Sequence, residues 1–95
     1  MSRPAVLELP ARLDPASLEL CLGALKSKRG AALDLDGASV ERLGGLGVQL
    51  LLSAVRTWRE DSQPLRLLSP SAALLTGLSH LGVEPETLPI ADAHL

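Results

Sequence analysis

Residues 31–59 read AALDLDGASVERLGGLGVQLLLSAVRTWR. The segment opens with Ala32-Leu33-Asp34-Leu35-Asp36, an apolar/polar alternation that predicts a strand with one buried face and one wet face. A short polar turn follows, and Gly44-Gly45-Leu46-Gly47 then opens a long apolar helix, expected from about Leu46 to Arg59. A strand that runs through a glycine-dense corner into a helix N-terminus leaves backbone amides unpaired, with the positive end of the helix dipole behind them. Such a corner suits an anion or a docking partner.

On this helix Gly47, Leu51, Ala54, Val55 and Trp58 share a face, with Val48 and Leu52 beside them, and so predict the core side. Gln49, Ser53 and Arg56 point away. Leu50 lies near them with no evident core role, which marks it as an interface candidate beside the open helix end.

The flanking sequence repeats the same units. Ala5-Val6-Leu7-Glu8-Leu9 reads as a strand ended by Pro10, and Asp14-Pro15 as an N-cap and first helical residue. Leu18, Cys21, Leu22 and Leu25 give an apolar stripe, and Gly30 closes that helix. Leu65-Arg66-Leu67-Leu68 is a third strand. Ser69-Pro70 predicts a second N-cap and proline start for a helix carrying Leu74, Leu75, Leu78 and Leu81 and stopped by Gly82. Residues 85–95 are expected to form a docked edge segment and a frayed tail within a single domain spanning 1–95.

Strands alternating with helices imply βαβ units and a mostly parallel sheet. Glu8, Asp34, Asp36 and Arg66 all fall opposite the leucines, whereas a doubly wound sheet needs strands apolar on both sides. The fold class is therefore α/β, a small mostly parallel sheet with helices packed on one face and the other face open to water.

Composition narrows the function. Hydrophobic residues make up 46% of the 95, yet there is no Phe or Tyr and one Trp, so the core is built of Leu, Val and Ala. Base-stacking platforms are missing, and with a net charge of -2 and scattered cations there is no basic stripe, which argues against nucleic acid. The single cysteine, Cys21, excludes an intrachain disulfide, lacks metal-ligand spacing and fits a reducing cytoplasm. No apolar run approaches the ~20 residues of a bilayer span, so membrane insertion is not expected.

Leu33-Asp34-Leu35-Asp36-Gly37 matches the DxDG signature of haloacid-dehalogenase-type phosphatases, where Asp34 would attack phosphorus and Asp36 would shuttle the proton beside Mg²⁺. The later paired acids and a following lysine are absent, since Lys26 and Lys28 precede the motif. The glycines at 44, 45 and 47 are followed by no GK[ST], and His80 and His94 have no partner at ligand spacing. No nucleophile, base and oxyanion set can be assembled, so neither a catalytic centre, a metal nor a cofactor is expected, and the residues read as those of a binding protein.

The succession Asp34–Val40, Leu43-Gly-Gly-Leu-Gly-Val-Gln-Leu-Leu-Leu52, Leu65–Ser71 and Leu78-Ser-His-Leu-Gly82 resembles the STAS domain of bacterial anti-sigma factor antagonists. The resemblance covers Leu7 to Val83 in order and spacing, without the first strand of the family's usual hairpin. It implies the (βα)n superhelix of that family and a signal-transduction role in which the corner docks on a partner kinase, which phosphorylates a corner serine or threonine. Here Arg42 stands where the family has Asp, and Leu43 and Gly44 stand at its hydroxyl positions, so the phosphoryl switch does not carry over. Ser39 is the nearest hydroxyl.

Members similar to this chain serve chemotaxis histidine kinases, and others are accessory subunits of ABC lipid-transporter ATPases, with a GG pair like Gly44-Gly45 at the corner. The expected partner is thus a regulatory protein such as a histidine kinase or anti-sigma factor. The expected docking residues are Gly37, Ser39, Glu41, Arg42, Leu43, Gly44, Gly45, Leu46, Gln49 and Leu50. The alternatives are the transporter-associated role and, in another class, a small phosphatase using Asp34 and Asp36.

Overall fold

The computed structural model describes residues 4–91. Strand β1 (Ala5–Glu8), helix α1 (Pro15–Ser27), β2 (Leu33–Asp36), α2 (Gly45–Glu60), β3 (Leu65–Leu68), α3 (Ala72–His80) and β4 (Ile90–Ala91) follow in turn, with a 3₁₀ turn at Pro85–Thr87 before the last strand. The sheet order is β1-β2-β3-β4 and every pairing is parallel. A parallel sheet grown one strand at a time in one direction carries its crossover helices on one side.

The register sorts the strand residues by face. Leu33 and Leu65 form one row, with Ala5 exposed at its edge, and Leu7, Leu35, Leu67 and Ile90 another, and the leucines and Ile90 of these rows lie against the core made by Cys21 and Leu25 of α1, Val48, Leu51, Ala54 and Trp58 of α2, and Leu74 and Leu78 of α3. Trp58 is buried to 2%, and its indole N–H finds the carbonyl of Ala31 at 2.8 Å, so the core's one aromatic ring is seated without an unpaired polar atom. On the opposite face Val6, Glu8 and Arg66 are exposed.

Local signals explain most helix ends. Asp14 accepts a hydrogen bond from the Ser17 amide at 2.9 Å and Pro15 takes the first helical position. Gly30 and Gly82, at φ of 90° and 73°, occupy the left-handed conformation in which glycine carries no Cβ penalty.

Several expectations are corrected. The cap of α3 is Ser71, not Ser69 with Pro70: Ser69 sits at φ 50°, and the Ser71 hydroxyl accepts from the Leu74 amide at 3.0 Å. Strand β2 begins at Leu33 rather than Ala32. Leu22, Leu75 and Leu81, placed on core stripes by periodicity, are 43%, 38% and 47% exposed because α1 and α3 each bury a narrower face. Asp34 belongs to the open face but is buried, since Arg66 from β3 covers it. The expected tail beyond Ala91 lies outside the described residues.

Candidate functional site

The segment from Gly37 to Gly44 leaves the carboxyl end of β2, and its backbone is pinned to three neighbours. Gly37 donates to the Leu68 carbonyl at 2.9 Å and accepts from the Ser71 amide at 3.1 Å, which ties it to β3 and the start of α3. A Cβ on Gly37 would come within 3.1 Å of Leu74 Cδ1 and 3.4 Å of Pro70 Cα, so the buried position favours glycine for space, not for dihedral angle. The Ser71 hydroxyl donates to the Val40 carbonyl at 2.6 Å. The amides of Glu41 and Arg42 both donate to the Ala11 carbonyl, at 2.7 and 3.1 Å, and anchor the segment to the β1–α1 connection.

With the main chain held, Ser39, Glu41 and Arg42 project into solvent. The Ser39 hydroxyl donates to Glu8 Oε1 at 3.1 Å. Arg42 pairs in a parallel bridge with Arg12, so two exposed cations stand side by side. No local pattern announces this neighbour of Arg42, because the two residues are brought together only when the β1–α1 and β2–α2 connections pack.

Leu43 turns inward and is buried, a correction to its expected place on the docking surface. It seats between α2 and α3: a Cβ on Gly47 would lie 2.7 Å from Leu43 Cδ1, and one on Gly77 would lie 2.8 Å from Leu43 Cβ and 3.0 Å from its carbonyl oxygen. Gly37 is likewise buried, so both residues shape the corner from beneath.

Gly44 is the N-cap of α2 at φ -106°, ψ -176°, ordinary extended backbone, and it offers no side-chain acceptor to the first amides of the helix. The conformational need for glycine at 44 and 45 is therefore not found within the chain, and a Cβ at either would meet open space. Next to this uncapped end Leu46 is 57% exposed and Gln49 is exposed. Leu50 is half-buried and packs against the core, contrary to the expectation of no core role. Together with Leu18 and Leu22 of α1, Leu46 and Leu50 line a shallow apolar groove between α1 and α2. Leu18 also packs against the core, as its place in the apolar stripe predicts, while Leu22 is exposed, and no local sequence pattern marks the groove.

Both aspartates of the DxDG stretch hold structural hydrogen bonds. Both Asp34 oxygens accept from Arg66, at 2.8 and 2.7 Å, and Asp36 Oδ1 accepts from the Ala38 amide at 3.0 Å as a turn residue does. Cys21 is buried, and that burial pushes its thiol pKa up, away from the reactive thiolate. Among the described residues no three His, Cys, Asp or Glu side chains converge as a metal site, and no helix is long and apolar enough to cross a membrane. What the corner offers is an exposed surface: two arginines on bridged backbone segments, an uncapped helix end and an apolar groove between α1 and α2.

Two comparisons with known proteins bear on this geometry. Residues 2–89 match the family model described as Mlab, STAS domain. No curated protein matches the chain.

Proposed function

The chain belongs to the STAS domain family, and from that premise we propose that it is a non-catalytic signalling protein that docks on a regulatory partner, a histidine kinase or an anti-sigma-like factor, through the corner and the N-terminus of α2. STAS domains are in general binding and regulatory domains. The observation that carries the finer reading is the uncapped N-terminus of α2, where Gly44 and Gly45 leave open space beside an exposed Leu46. Space over unpaired amides admits the close approach of another backbone or of a carboxylate. The adjacent Arg12 and Arg42 favour a partner whose contacting surface is acidic.

The test uses the kinase encoded nearest the gene for this protein and follows binding by calorimetry. Gly45→Val has room within the chain, so its free energy of unfolding in urea is expected to stay within about 0.5 kcal/mol of the parent, while binding weakens by about tenfold or more through the blocked approach. Loss of stability without loss of affinity would count against the docking site. The glycine pair also favours a second reading, an accessory subunit of an ABC lipid-transporter ATPase; co-purification with the transporter ATPase in place of the kinase distinguishes the two.

A further inference from the structure

Among the described residues strand β1 lies at one edge of the sheet and pairs with β2 alone. The Leu9 amide donates to the Asp36 carbonyl, so by the alternation of a parallel ladder Ala5, Leu7 and Leu9 turn their backbone groups toward β2 while Val6 and Glu8 turn theirs outward. Pro4 and Pro10 occupy the next outward positions and carry no N–H. The outward donors of this edge are therefore those of Val6 and Glu8.

Beside the edge, a depression between β1 and α1 is lined by Leu7, Glu8, Pro10, Leu20, Cys21 and Ala24. Leu20 is 77% exposed and Val6 61%, the highest values for large apolar side chains among the described residues. The α1 positions facing this depression, Ser17, Leu20 and Ala24, bear no charge.

We propose that this edge pairs with β1 of a second copy of the chain, antiparallel, about a twofold axis at Leu7. Hydrogen bonding and charge single out that register. A twofold at Val6 sets Glu8 against Pro4, which has no N–H to return. A twofold at Glu8 brings two carboxylates face to face, which is unfavourable, and sets Val6 against Pro10. An axis between two residues opposes an outward-facing residue to an inward-facing one, and no bonds form. With the axis at Leu7, Val6 of each copy exchanges both backbone bonds with Glu8 of the other, and the two carboxylates stay apart.

In this arrangement Leu7 meets its copy on the helix side of the sheet, and the Leu20 side chains of both copies close over the pair. The sheet runs continuously through both copies. The corner at the carboxyl ends of the strands remains free, and because the paired strands are antiparallel the two corners face opposite ends of the dimer, so one dimer presents two docking surfaces. The bonded window between the prolines is short and the interface correspondingly small, which places the dissociation constant on the order of tens of micromolar.

Sedimentation velocity across about 5 µM to about 1 mM brackets that affinity, with amide hydrogen exchange at both ends of the range. The expected result is a concentration-dependent dimer in which the Val6 and Glu8 amides gain protection. Leu20→Glu removes an exposed side chain and sets like charges across the axis, and is expected to raise the dissociation constant by about a hundredfold. Val6→Pro deletes an outward donor alone and is expected to do the same, with protection of the Leu9 amide reporting that the monomer fold is intact. A protein monomeric throughout the range, a dimer indifferent to Leu20→Glu, or a dimer whose Val6 and Glu8 amides exchange freely would overturn the proposal.

Discussion

Arg66 on β3 holds Asp34 on β2 through two parallel hydrogen bonds of 2.8 and 2.7 Å, and the two residues are direct register partners. The pair sits on the face of the sheet that carries no helix. Asp34 keeps only 8% of its side-chain exposure while Arg66 keeps 52%, so the arginine acts as a lid over the carboxylate and is itself screened by water. This asymmetry predicts unequal mutants. Arg66→Ala removes both charge-assisted hydrogen bonds and the stem that covers Asp34, and is expected to lower the urea midpoint more than Arg56→Ala on the exposed face of α2. In the Arg66→Ala background Asp34→Ala is expected to cost less than it does in the parent. Additive effects in that double-mutant cycle would show that the two bonds contribute nothing to stability.

The glycines flanking Leu43 make a second prediction with opposite ranks for two similar changes. Alanine raises helix propensity by about 1 kcal/mol at an interior glycine. At Gly77 the new Cβ meets the Cβ and carbonyl oxygen of Leu43, atoms that move only with the backbone. At Gly47 the closest contact is Leu43 Cδ1, the end of a side chain, although Leu13 also closes in at 3.1 Å. Gly77→Ala is thus expected to destabilise by about 1–3 kcal/mol and Gly47→Ala by less. Combining each with Leu43→Ala separates the mechanisms, because that change removes the shortest contact at Gly47, leaving those with Leu13, and keeps both short contacts at Gly77. Equal coupling in the two denaturation series would refute the packing account.

Much of the fold is legible in local chemistry. Asp14-Pro15 marks a helix start, Gly30 and Gly82 mark helix stops, and the alternation of Leu33-Asp34-Leu35-Asp36 assigns the two sheet faces. The site is less legible, because its residues acquire their roles from distant partners. Leu43 lies in a polar loop beside exposed residues, and only the packing of α3 through Gly77 draws it inward. Arg12 becomes part of the corner through its bridge with Arg42. Ser69-Pro70 carries the composition of a cap, but the turn out of β3 places Ser69 in the left-handed region and passes the capping role to Ser71.

Acid stability follows from two depressed carboxylates. Asp14 lies below its ordinary value of 3.8 because the Ser17 amide hydrogen-bonds its ionised form, and Asp61 lies below 3.8 because Arg29 does the same from the end of α1, at 2.8 Å. A carboxyl group that titrates lower when folded leaves the unfolded chain holding more protons in the window between the two values. Its stabilising contribution is complete above 3.8 and disappears as pH falls through the lowered folded value. Urea midpoints are expected to hold level from about pH 7 to about pH 5 and to fall below about pH 4. The double variant Asp14→Asn, Asp61→Asn is expected to flatten that fall. An unchanged acid limb in the variant would assign it to other groups.

The docking corner proposed above has no hydroxyl at the positions where the resemblance to the family implies one. A phosphoryl group works by placing about two negative charges where a partner must close, yet Leu43 is buried and Gly44 has no side chain. The nearest hydroxyl, Ser39, already donates to Glu8, so a phosphate there would be set against a carboxylate. Docking is therefore expected to be indifferent to kinase and ATP and to depend on the exposed cation at Arg42. Incubation with the neighbouring kinase and ATP should leave the intact mass unchanged. Arg42→Glu reverses the charge beside Arg12 and is expected to slow association and reverse its salt dependence, the signature of a charge at the rim of an interface. A stoichiometric phosphate on Ser39, or association kinetics untouched by Arg42→Glu, would show that the corner works by the family's switch or that binding lies elsewhere.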